Sequence, residues 1–152
     1  MLFRSDPVVH IPLLISAPGQ IARQDVYSPT SAVDLLPTLA QLAGKPIPLW
    51  CEGKPLPGLG GMNDMERSTF VVEAKRNSAF TPLNMATIAM RKGNTKLIYY
   101  TGYEPEDTFE LYDLNEDIEE LDDLYPAQPA VARQLREELL ESLFDADKIY
   151  MK

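Results

Sequence analysis

One cysteine, one histidine and one tryptophan occur in 152 residues. A single thiol, Cys51, can form no internal disulfide and build no thiolate metal cluster. A nucleophilic cysteine needs a base beside it, and the lone histidine, His10, is far away in sequence. Cys51 is therefore read as a partly buried small side chain. Long hydrophobic runs are missing too: none reaches the roughly 18 apolar residues of a membrane span. The first residues lack the charged-then-apolar pattern of a secretory signal, and Met1 leads almost at once into strand-like sequence. Positive charge is scarce. Fourteen Lys and Arg face 23 Asp and Glu, a net charge of −9. That balance argues against nucleic acid and membrane partners, whose surfaces attract cations.

What is present suits a globular chain, with 45% hydrophobic and 24% charged residues. The length allows one domain, or one subdomain plus a piece of another. In the second case, part of the apolar surface belongs against something outside the chain.

Residues 7–15, Pro-Val-Val-His-Ile-Pro-Leu-Leu-Ile, predict a strand buried on both faces, as in a parallel sheet. Pro12 restricts that strand to a start or an edge there. A helix is predicted over residues 31–42, with Ser31 or Asp34 as N-cap. Pro37 fits only its first turn. Leu35, Leu36, Leu39 and Leu42 form its apolar face, and Gly44 and Pro46 end it. Residues 45–64, dense in Pro and Gly, read as a linker or a segment draped over a surface.

Strands are predicted over 69–74, 87–91, 96–100 and 109–114. The middle two form a hairpin around Lys92-Gly93-Asn94. In the last strand, Phe109, Leu111 and Asp113 share one face, and Glu110, Tyr112 and Leu114 the other. A final helix over 130–144 has Pro129 in its first turn, with Val131, Leu135, Leu139 and Leu143 inward. Arg133, Arg136, Glu137, Glu138 and Glu141 form its polar face.

Taken together, the run 33–44, Val-Asp-Leu-Leu-Pro-Thr-Leu-Ala-Gln-Leu-Ala-Gly, resembles the closing strand–helix unit of the sulfatase catalytic domain. The strand and Ala17-Pro18-Gly19 before it belong to the same likeness. Gly53-Lys54-Pro55-Leu56 resembles the following Gly-x-x-Leu segment of that family. The run 91–100, Arg-Lys-Gly-Asn-Thr-Lys-Leu-Ile-Tyr-Tyr, and the run 110–114, Glu-Leu-Tyr-Asp-Leu, resemble its later strands.

The implied fold is an α/β fragment, the terminal strand and helix of a large sheet. An α+β subdomain follows, with a small antiparallel sheet and a C-terminal helix. Residues 1–62 would be the α/β portion with its linker, and 63–152 the subdomain. The resemblance implies sulfuric ester hydrolysis in a full-length form, with calcium or magnesium and a formylglycine nucleophile. This chain supplies none of the corresponding motifs. Cys51 is followed by Glu-Gly-Lys-Pro rather than the x-Pro-x-Arg that directs formylglycine formation. No catalytic residue and no metal ligand is expected here, and this chain alone is expected to be inactive. Its partner would be a missing N-terminal catalytic portion, or another copy in a homo-oligomer. A related phosphodiesterase or phosphonate monoester hydrolase would share these features, and a stand-alone interaction module is the alternative of another class.

His10 is the candidate substrate-binding residue, because it opens the first strand. Its structural alternative is a neutral, hydrogen-bonded side chain at the sheet end. Arg4 and Lys54 could meet an anion but read as solvent-facing, and Asp34 reads as a cap. Tyr99, Tyr100, Tyr103 and Tyr112 could form a sugar platform, though packing on a sheet is the commoner use. The acidic residues of 104–123 lack the spacing of a calcium loop and read as a solvated rim, Asp122 and Asp123 included.

Overall fold

The computed structural model describes residues 9–151. The chain divides into two compact units, one built chiefly from Phe70–Lys152 and the other from Ile11–Thr69.

The larger unit is organised by four strands: β1 (Thr69–Glu73), β2 (Ala86–Lys92), β3 (Thr95–Thr101) and β4 (Thr108–Asp113). They lie in sequence order, and both the β2–β3 and β3–β4 pairs are antiparallel. Lys92 pairs with Thr95, leaving Gly93-Asn94 as a two-residue turn. Gly93 has φ +57°, at the first central position, where a type II′ turn favours glycine. The register sets Met90 opposite Leu97 and Leu97 opposite Leu111. With Ala86, Ile88 and Tyr99 these residues make one apolar face.

Helix α2 (Pro129–Asp147) has proline at its start, where a missing N–H costs nothing. It buries Ala132, Leu135 and Leu139 in the same cluster, with Leu140 and Leu143 partly buried beside them. Val131, expected inward, is 39% exposed. The buried stripe starts one residue later, because 132, 135 and 139 hold the three–four spacing of a single helix face. Asp147 is buried at the far end and accepts the Leu83 N–H at 3.0 Å.

The other face of the sheet carries Ala89, Ile98, Tyr112 and Leu114. Lys96, two residues from Ile98, lies on that face and is 2% exposed. Its ammonium is 2.9 Å from both carboxylate oxygens of Glu120. An unpaired buried ammonium would be costly, and this partner makes the position tolerable.

The unit Ile11–Thr69 is built differently. Residues 10–16 form no strand, and Leu14 is 94% exposed; residues 7 and 8 of the predicted strand lie outside the described residues. A parallel strand has no hairpin partner next to it in sequence and needs neighbours from elsewhere. Ala32–Asp34 form a 3₁₀ turn, and helix α1 follows over Leu35–Leu42. Its buried residues are Pro37 and Thr38. Leu39 and Leu42 are 63% and 60% exposed, and Leu35 and Leu36 are also exposed. Residues 45–64 are irregular apart from one isolated bridge, Pro57 with Gly61.

Candidate functional site

The polar side of α1 is a buried node. Asp34 is fully buried. Its carboxylate takes a two-pronged contact from the Arg67 guanidinium: Nη1 to Oδ2 at 2.7 Å and Nη2 to Oδ1 at 2.8 Å. The Ser31 N–H donates to Oδ2 at 2.8 Å and the Lys54 N–H to Oδ1 at 2.9 Å. Burial alone would raise the Asp34 carboxyl. The Arg67 hydrogen bonds and the Lys54 and Ser31 amides outweigh it and hold the pKa below the usual carboxylate value. The Asp34 contact in turn raises the Arg67 pKa.

One turn on, Thr38 Oγ1 donates to the Asp34 carbonyl at 2.6 Å and accepts the Leu56 N–H at 2.8 Å. The two polar residues of Asp-Leu-Leu-Pro-Thr thus stitch the irregular segment to the helix. Gly53 completes the stitch, because a Cβ there would overlap the Val33 carbonyl. Asp34 does more than cap. It also neutralises an arginine 33 residues away, which nothing in local spacing announces.

His10 is exposed and outside any strand, and Arg4 lies outside the described residues. The Lys54 ammonium is 3.6 Å from Asp64 on the surface. Cys51 is a free, half-buried thiol.

The tyrosines are mostly structural. Tyr99 stacks on Phe109 with ring centroids 4.6 Å apart, and Phe109 on Tyr125 at 5.5 Å. The Arg136 guanidinium sits 5.0 Å from the Phe109 centroid. Tyr99 donates to Asp107 at 2.6 Å. Burial, then the Asp107 carboxylate, raises the Tyr99 pKa, and the same hydrogen bond lowers Asp107. A shallow cleft of about 400 Å³ opens beside this stack. Its aromatic rings already stack on each other, which leaves little of an open sugar platform. Tyr100 donates to Glu110 at 2.6 Å, Tyr112 is buried, and Thr87 donates to Tyr103 at 3.4 Å.

In the acidic stretch Asp117 and Asp123 are committed to backbone donors. Asp117 Oδ2 accepts the Leu121 and Asp122 amides, and those amides lower its pKa. Asp122 and Asp123 are both exposed. Asp123 is more than rim charge: Oδ1 accepts the Leu111 N–H at 2.9 Å and the Tyr125 N–H at 2.8 Å. Among the described residues no group of three or more His, Cys, Asp and Glu is arranged to hold a metal ion. The donor set of the described residues does not fit a sulfatase-type metal centre. Nor does Cys51, given the residues that follow it, fit a formylglycine precursor. No helix among the described residues is long and apolar enough to cross a membrane.

Residues 2–146 match the family model described as N-sulphoglucosamine sulphohydrolase, C-terminal. Arylsulfatase K of Rattus norvegicus is 31% identical over 137 residues, covering 86% of this chain and 24% of the relative. Choline-sulfatase of Rhizobium meliloti (strain 1021) is 36% identical over 105 residues, covering 66% of this chain and 19% of the relative. A solved structure from Bacteroides thetaiotaomicron, assigned to the sulfatases, superposes with TM-score 0.55 and 28% identity. It matches 76% of this chain and 24% of its own. The chain therefore spans about a fifth to a quarter of the curated relatives it matches. It belongs to the C-terminal sulfatase-domain family.

Proposed function

We propose that this chain is the C-terminal part of a longer polypeptide that hydrolyses sulfate esters. By itself it has no turnover. The carrying observation is the inverted helix: α1 buries Pro37 and Thr38 and exposes its leucines. Exposed apolar area of this kind marks an interaction surface. The relatives it resembles are between three and four times as long, so the cover proposed is the preceding part of the same polypeptide. A second copy is the competing cover, and a dimer in solution would reveal it.

In this reading residues 11–69 complete an α/β domain, and residues 70–151 shape one wall of the substrate cleft. His10, exposed to solvent, is proposed to border that cleft. Calcium or magnesium and the formylglycine nucleophile belong to the preceding part, and no reaction step runs through this chain's carboxylates. The test is turnover of 4-nitrophenyl sulfate and 4-nitrophenyl phosphate by the longer polypeptide and by the 152-residue chain. Sulfate turnover by the longer form alone is the expected result. Turnover of phosphate but not sulfate would move the reading to a phosphoester hydrolase. Turnover by the short chain, surviving further purification, would overturn it.

A further inference from the structure

Between β1 and β2 the chain makes a loop whose tip is strained. Phe80 has φ +61°, a region that a bulky L residue occupies only at a cost. Its ring is 85% exposed, so no local packing offsets that cost. Yet the loop is firmly fixed around it. The Asn77 side-chain amide donates to the Met85 carbonyl and accepts the Asn84 N–H at 2.9 Å and the Met85 N–H at 3.2 Å. Thr81 Oγ1 donates to the Ser78 carbonyl at 2.9 Å, and buried Asp147 holds the Leu83 N–H.

Glycine at position 80 would relieve both the backbone strain and the apolar exposure. Other strongly exposed apolar residues among those described, such as Leu14 and Leu39, do not carry a positive φ. Phe80 is costly in two independent ways and is held in place by its surroundings, the pattern found where geometry serves binding.

We propose that Phe80 is a specificity-determining residue of the longer enzyme, a deepening of the sulfate-ester reading. Its ring stacks on the ring face of the alcohol part of the substrate, a sugar or an aryl group. Arg76, exposed on the same loop, adds positive charge near an anionic ester. Phe80 touches the part of the substrate that does not react, so its loss raises KM and spares kcat.

The experiment compares Phe80→Gly and Phe80→Tyr with the parent. In the 152-residue chain, Phe80→Gly raises Tm by about 2 °C; a fall would mean the tip is not strained. In the longer polypeptide the same variant leaves Tm unchanged or higher. A drop there would show the ring packed against protein and would overturn the proposal. With 4-nitrophenyl sulfate or glucosamine 6-sulfate, Phe80→Gly raises KM about tenfold. Its kcat stays within about twofold, and Phe80→Tyr restores KM. The ring ester that responds identifies the source. With ethyl sulfate, which has no ring, KM is unchanged. Equal effects on all three esters, or none on either ring ester, would overturn the proposal. A parent that hydrolyses no sulfate ester would sink the functional reading itself, and this is seen before any variant is compared.

Discussion

The two units of this chain use the same composition in opposite ways. Residues 70–151 place Leu97, Leu111, Leu135 and Leu139 inside and most of their charge outside. Residues 11–69 place Asp34, Thr38 and Ser28 inside and leave Leu14, Leu39 and Leu42 outside. The first arrangement closes on itself, since apolar burial drives its packing. The second is held by an ion pair and backbone-directed hydrogen bonds, with an apolar face left over. An amphipathic pattern therefore identifies a helix and its apolar stripe, and says nothing about which molecule or segment covers that stripe.

Substitutions can break or sharpen this contrast. The largest effect is expected at the polar node. Asp34→Ala leaves Arg67, whose side chain is 15% exposed, without its counter-charge and costs about 3–5 kcal/mol. Hydrogen exchange should show the loss confined to residues 11–69. The depressed Asp34 pKa adds a pH signature. Its stabilisation is complete above the unfolded carboxylate value of about 3.9. It is lost as pH falls from there through the lower folded value. Asp34→Asn should remove that acid-dependent part, read as a flatter stability profile below about pH 4.

Next comes the apolar core of the larger unit. Leu139→Ala should cost about 2–5 kcal/mol in urea unfolding, against under about 0.5 kcal/mol for Leu39→Ala in the same 152-residue chain. Similar losses at the two leucines would abolish the distinction. Thr38→Val, which strands the Leu56 N–H, should cost about 1–3 kcal/mol. The smallest effect is expected for Glu138→Gln, whose partner Lys92 lies 2.8 Å away near the surface. Its loss should cost about 0–1 kcal/mol and shrink with added salt.

Much of the larger unit was legible in sequence. Period-two alternation and the Gly93-Asn94 turn placed its strands within a residue or two, and assigned Leu111 and Tyr112 to opposite faces. Pro129 marked the start of α2. The inward place predicted for Val131 failed because the helix turns the face of Ala132, Leu135 and Leu139 to the core. The strand predicted at 7–15 shows no pairing in its described residues, because its partners would come from outside this sequence. The Asp34–Arg67 pair was invisible, since no local rule links a helix start to an arginine 33 residues on. The same is true of Lys96 with Glu120 and of the strained Phe80, whose backbone no residue pattern encodes. The family resemblance located Asp34, Thr38 and Gly53 as a motif, but only the geometry shows what they hold.

The central claim is that the leucine face of α1 is an interface for the preceding part of the polypeptide. Leu39→Asp, measured in both contexts, tests it most directly. The account predicts almost no change in Tm for the 152-residue chain, and a large drop, or failure to fold, for the longer polypeptide. Equal tolerance in both would show that the face stays in solvent, and the proposed role of residues 11–69 would fall.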